Sequence, residues 1–217
     1  MAGSAKSESR RRFVQSCVGL AGSASVFGLL LAGYSRQSQA LPPWALRPPA
    51  ALPEADFNAA CVRCGLCVRA CPFDMLQLAA LGQDVAAGTP YFVARDKPCE
   101  MCERIPCAAA CPTDALSKEL TDIRDARMGV AVLTGRDTCY SVTGRGSCRA
   151  CYLACPIKGE AISMAPRVAN GRSYLEPTVH VDKCTGCGKC EHDCLTEEAS
   201  IKVLPLALAR RDRRAIG

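Results

Sequence analysis

The chain has 217 residues, of which 17 are cysteine; aromatic residues make up 5%, and the formal net charge is +6 at pH 7. Cysteine at this density marks a fold that depends on sulfur chemistry, and the composition excludes intrinsic disorder, collagen, a coiled coil and a polytopic membrane protein. The positive charge sits at the ends: residues 41–209 hold 18 basic and 19 acidic side chains, so no basic face for nucleic acid is expected.

Residues 1–40 read as an address. Ser9-Arg10-Arg11-Arg12-Phe13-Val14 resembles the twin-arginine export motif, and a mildly apolar run follows from Cys17 to Ala32. Ser38-Gln39-Ala40 supplies small residues before a cut ahead of Leu41-Pro42-Pro43. A basic start, a short apolar run and a small-residue end make a signal peptide. The competing reading is an uncleaved anchor over residues 14–34. The twin-arginine machinery carries proteins that are already folded, so the leader itself implies a cofactor inserted before export.

Residues 41–60 are expected to be a linker and then a helix that starts at Pro53 and Glu54 and runs toward Cys61. A second helix is expected over 74–81, ended by Gly82. Apolar and alternating stretches predict strands at 91–94, 130–133, 178–181 and 201–203. A helical turn and a β-like piece are expected after the last cysteine of each group described next. Residues 208–217 form a basic tail containing Arg210, Arg211, Arg213 and Arg214, read as a solvated terminus.

Sixteen cysteines fall into four groups. Cys61, Cys64, Cys67 and Cys71 are spaced C-x2-C-x2-C-x3-C; Cys99, Cys102, Cys107 and Cys111 are spaced C-x2-C-x4-C-x3-C. Cys139, Cys148, Cys151 and Cys155 are spaced C-x8-C-x2-C-x3-C; Cys184, Cys187, Cys190 and Cys194 repeat the first spacing. Proline follows the first three groups and Leu195 the fourth. The groups recur every 38, 40 and 45 residues, which indicates repeated units. Three closely spaced thiolates let one loop wrap a compact inorganic core, and a fourth closes the cage. This is the run of bacterial ferredoxins, in which the fourth cysteine ligates the other cluster of a pair. The expected fold over 61–207 is therefore α+β, with tandem bacterial ferredoxin-like units forming two dicluster modules around four 4Fe-4S clusters. Sequential pairing of the groups competes with a nested arrangement of the first with the fourth; the shared spacing of the outer groups favours nesting.

Eight disulfides would suit an exported chain, but C-x2-C-x2-C crowds thiols locally instead of stapling distant segments. Structural zinc uses two separated C-x2-C pairs, which is not this pattern. His180 and His192 are not needed as ligands, because every group already has four cysteines. Gly144-Arg145-Gly146 lies inside the x8 insertion and reads as a spacer loop. No phosphate loop, nucleophile elbow or H-E-x-x-H occurs. The expectation is a carrier of electrons with no catalytic residues of its own. Phe73, Ile157 and Leu195 are expected to shield the clusters.

The linking stretches make the pattern more specific. Cys61-Val62-Arg63-Cys64-Gly65, residues 88–96, Pro98-Cys99-Glu100-Met101-Cys102-Glu103, residues 125–129, residues 177–180, residues 184–191 and residues 201–206 together resemble the NapG/MauM family over roughly residues 9–207. The resemblance implies 4Fe-4S ligation by all sixteen grouped cysteines. It implies residence in the periplasm and electron flow from membrane quinol through a polytopic NapH-like ferredoxin-type partner toward periplasmic nitrate reductase subunits. The alternative it leaves open is the same wire serving another periplasmic oxidoreductase, such as methylamine dehydrogenase or a molybdoenzyme. Leu195 departs from the C-P habit of the other groups.

Overall fold

The computed structural model describes residues 25–29, 41–169 and 171–209. The chain divides into two units, Met1–Ala40 and Leu41–Gly217. In the first, residues 25–29 are helical; the stretch that resembles a twin-arginine motif and the expected cleavage position lie outside the described residues, as do the tail arginines. Among the described residues no helix is long and apolar enough to cross a membrane.

Burial in the second unit begins almost at its start. Ala45 and Leu46 are fully buried, Pro48 and Pro49 nearly so, and the Leu46 N–H and C=O both pair with Phe92 at 2.9 Å. Ala51 bridges Leu116. The segment expected as a linker is thus a strap across the core. Pro53 caps helix α1 (Glu54–Ala60), which puts acidic Glu54 and Asp56 in its first turn and buries Phe57. Acidic groups there suit the positive end of the helix.

Four one-turn helices follow: α2 (Leu66–Ala70), α3 (Pro106–Ala109), α4 (Ala150–Ala154) and α5 (Lys189–His192). Each contains the third cysteine of its group and ends just before the fourth. The helical turns expected after the fourth cysteines therefore lie before them. Strands β1 (Gln77–Leu78) and β2 (Pro90–Tyr91) pair antiparallel. The helix expected over 74–81 is not formed: Asp74 adopts φ +50°, and the chain turns at once into β1. The strand expected at 91–94 is reduced to β2 and the Phe92 bridge.

Strand β3 (Val130–Leu133) pairs with β6 (Ile201–Leu204) in the register Val130↔Leu204, joining the middle of the chain to its end. Both were legible from alternation. Strands β4 (Ile162–Ala169) and β5 (Arg172–Val179) form a long hairpin, of which only its two ends, the β-like piece at 161–162 and the strand at 178–179, were expected. Its sequence signal is Asn170-Gly171, a dipeptide suited to a tight hairpin turn. Pro166 and Pro177 sit in it without breaking a central ladder, because a two-stranded sheet consists of edges. The main core is an apolar cluster around Leu46, Phe57, Phe92, Leu116 and Ile201, to which cysteines from three of the groups belong, and a smaller cluster gathers Ala45, Ala79, Val85 and Tyr91.

Candidate cluster-binding sites

The first, second and fourth cysteine loops curl because their backbone enters the left-handed region beside the second cysteine. Arg63 has φ +57° and Gly65 +73°; Met101 has +59°; Gly186 and Gly188 have +75° and +91°. For a residue with a Cβ this costs roughly 1–2 kcal/mol. Glycine at 186 is also required sterically, since a Cβ there would overlap the backbone of Gly129. The curl turns amide groups inward: the N–H of Met101 donates to the Cys99 sulfur, and that of Lys189 to Cys187. The third cysteine sits in a one-turn helix, so the fourth leaves the loop on the far side of that turn.

The result is four cavities, each lined by four thiols. Cys61, Cys64 and Cys67 share one with Cys111; it is called cage A below. Cys99, Cys102 and Cys107 share cage B with Cys71. Cys139, Cys148 and Cys151 share cage C with Cys194. Cys184, Cys187 and Cys190 share cage D with Cys155. All sixteen expected cysteines are thus brought together in fours.

The fourth cysteine crosses to a neighbour, as expected, but the neighbour is sequential and not nested. The first group exchanges with the second, and the third with the fourth. The physical reason is local. A single helical turn separates the third and fourth thiols, so the fourth reaches only the loop packed against that turn. Helix α2 packs on α3, and α4 on α5.

The electrostatics fit a cationic core. Burial raises the thiol pKa of Cys99, Cys107 and Cys151 to about 12, and of Cys67 and Cys187 to about 11. Cys190 is pushed well above its ordinary value by burial and by the neighbouring Cys187 and Cys184. Thiols gathered in fours, several of them buried, cannot all ionise without a positive partner. Iron supplies that partner, and four thiolates are the donor set of a 4Fe-4S cluster. Among the described residues no group of three or more His, Cys, Asp or Glu is set to hold a single metal ion.

Two of the crossing thiols differ from the rest. Burial raises Cys111, but N–H groups of Leu116, Thr113 and Ala115 and the Thr113 hydroxyl outweigh it, so its pKa is lowered. Cys194 is lowered in the same way, burial being outweighed by the Thr196 hydroxyl and N–H groups of Thr196, Ser200 and Ile201. Thr113 and Thr196 each follow the crossing cysteine by two residues, a signal present in the sequence but not used there.

Arg95 also went unrecognised as a functional residue. Its guanidinium donates to the carbonyl oxygens of Glu191, His192 and Cys194 at 2.7–3.0 Å and to those of Thr196 and Glu197 at 3.0 and 3.3 Å. It fixes the loop that delivers Cys194 to cage C. The histidines serve elsewhere: His180 pairs with Ser163 at 2.9 Å, and His192 Nδ1 with the Arg95 carbonyl at 2.8 Å. Of the expected shielding residues, Ile157 is buried in cage D, whereas Phe73 and Leu195 line the mouths of cages B and C and stay 53% and 66% exposed.

The model of the 4Fe-4S dicluster domain matches residues 60–115 and 146–197, which take in the first two cysteine groups and all of the last two except Cys139. The chain is 50% identical to the methylamine utilization ferredoxin-type protein MauM of Methylorubrum extorquens, over 98% of this chain and 97% of that protein. It is 50% identical to the ferredoxin-type protein NapG of Escherichia coli, over 97% of this chain and 92% of that protein. The ferredoxin-type protein NapG of Haemophilus influenzae is also 50% identical, over 93% of this chain and 73% of that protein. None of the solved structures matches the chain at a significant level. Two dicluster-domain matches and full-length relatives at this identity make the chain a member of the NapG/MauM family of ferredoxin-type proteins.

Proposed function

We propose that this chain is a periplasmic electron-transfer protein with four 4Fe-4S clusters, one in each of cages A to D. It takes electrons from membrane quinol through a NapH-like membrane partner and passes them toward periplasmic nitrate reductase. It is exported folded by the twin-arginine route and transforms no substrate itself. The observation that carries the reading is the gathering of sixteen cysteines into four cavities of four thiols.

The clusters supply one-electron chemistry at a compact, rigid centre. The chain's own residues hold them and set their surroundings. The thiolates bind iron, inward N–H groups stabilise sulfur charge, and apolar neighbours such as Ile105, Ile157 and Leu116 exclude water.

A second destination, a methylamine-oxidising system, is favoured by one observation: the MauM relative of M. extorquens matches over 97% of its own length. Identity is 50% to the NapG relatives and 50–57% to the MauM relatives, the higher values over shorter stretches.

The first test is iron and acid-labile sulfide on anaerobically purified protein, with low-temperature EPR after reduction. Four cubanes give about 16 iron and about 16 sulfide per chain. Zinc, or oxidised thiols without metal, would overturn the electron-transfer reading. Deletion of the gene then separates destinations: loss of nitrate respiration supports the first, and loss of growth on methylamine alone supports the second.

A further inference from the structure

The two dicluster units meet at a specific place. The Cys99 N–H donates to the Cys187 carbonyl oxygen at 2.8 Å. Among the described residues this is the backbone hydrogen bond that joins a grouped cysteine of one unit to one of the other. Cys99 belongs to cage B and Cys187 to cage D. The surrounding contacts tie the same two loops together. Lys189 pairs with Glu100, and the Thr185 hydroxyl points at the Met101 sulfur at 3.6 Å. Gly188 allows the approach, since a Cβ on it would lie 2.7 Å from the Ala94 Cβ.

Resting on the four-cluster reading above, we infer that the cages form an unbranched row in the order A, B, D, C, with the Cys99–Cys187 contact as the joint between units. The row does not follow chain order. Within each unit the crossing cysteines couple the cages: Cys71 and Cys111 tie A to B, and Cys155 and Cys194 tie D to C. Between units, among the described residues, B and D are the cages whose cysteine loops share a backbone hydrogen bond. Cages A and C are therefore the two ends. Cage A holds Cys64, the one exposed thiol of the sixteen, and cage C opens beside exposed Leu195 and half-exposed Tyr140. One electron crosses the joint at a time and every bond stays in place; the reductant and oxidant are redox proteins that meet the two ends.

The order has a magnetic signature, because neighbouring reduced clusters couple through space. The double variant Cys64→Ala with Cys148→Ala empties cages A and C. It should retain about 8 iron per chain, four per cluster, and show a broadened, spin-coupled EPR spectrum when fully reduced. The double variant Cys102→Ala with Cys190→Ala leaves A and C and should show two uncoupled signals. Coupling in the second variant, or its absence in the first, would overturn the order. If either variant fails to accumulate with iron, Gly188→Ala in the otherwise complete protein decides. It should weaken the coupling between B and D, while Gly159→Ala, with similar backbone strain and open space around it, should not. Unchanged coupling in Gly188→Ala would also overturn the proposal. A wild-type iron content far below 16 per chain would instead strike at the four-cluster reading beneath it.

Discussion

The sulfur of Cys194 lies 3.1 Å from the hydroxyl of Thr196. Cys111 keeps the same relation to Thr113, at 3.9 Å. Both threonines stand two residues after a crossing cysteine, and both crossing cysteines serve outer cages. A hydroxyl donating to a thiolate stabilises the more negative, reduced cluster and so raises its potential. Thr196 is held for the task, since its oxygen accepts the Ser200 N–H at 3.1 Å.

Thr196→Val should therefore lower the potential of the cluster in cage C, and Thr113→Val that in cage A. A lost hydrogen bond of about 1 kcal/mol corresponds to roughly 40 mV for a one-electron couple. The smaller shift is expected at Thr113, where the contact is longer. Redox titration followed by EPR measures both. Equal shifts in all four clusters would contradict a local effect.

Arg95→Ala should loosen the loop that carries Cys194. Hydrogen bonds from a charged donor are the stronger kind, so a loss of about 2 kcal/mol is expected. Cage C should lose iron first, leaving about 12 iron per chain. Arg95→Lys should restore only part, because an ammonium cannot span the carbonyls that the planar fork reaches. Chemical denaturation and iron content read the two effects separately.

Arg47 anchors the strap at the start of the second unit. Its guanidinium contacts Glu54 at 2.5 Å, with side chains 6% and 18% exposed. It also donates to the Thr89 hydroxyl and the Pro90 carbonyl at 2.8 Å and sits 4.5 Å over the Phe57 ring. Removing one member of a buried pair leaves the other uncompensated, so Glu54→Ala should destabilise by about 3 kcal/mol. Because Glu54 lies outside all four cages, the iron content of the folded fraction should not change. Thermal unfolding with iron analysis checks both.

The thiols impose a pH dependence on cluster assembly. Burial raises the folded-state pKa of the deepest ones, to about 12 at Cys99, Cys107 and Cys151 and about 11 at Cys67 and Cys187 against an ordinary 9.0. In the cluster-free chain these raised thiols are neutral at pH 7. Their contribution to its stability is present below the ordinary thiol pKa and lost as pH rises through the folded values. Iron binds the thiolate, so loading must release protons and be favoured by higher pH. Anaerobic reconstitution should tighten from pH 6.5 to about pH 8.5, with proton release in weakly buffered solution. A flat profile would show that the thiols are ionised beforehand.

The sequence by itself determined the chemistry. Sixteen cysteines in four groups name the candidate ligand set, because C-x2-C spacing fixes which thiols one loop can present. Alternation located β3 and β6, and Pro53-Glu54 located the first helix. These signals are local, and local sterics settle them. The sequence did not settle which groups pair, where 74–81 goes, or what the 41–52 strap does. Matching spacing pointed to nesting, but spacing records how a loop wraps and not which loop lies beside it. Only tertiary packing of α2 on α3 and of α4 on α5 decided the exchange of Cys71 with Cys111 and of Cys155 with Cys194. The same holds for Arg95, whose carbonyl partners lie about a hundred residues away, and for the Cys99–Cys187 joint. These contacts close large loops, and the packing of many residues together makes them favourable.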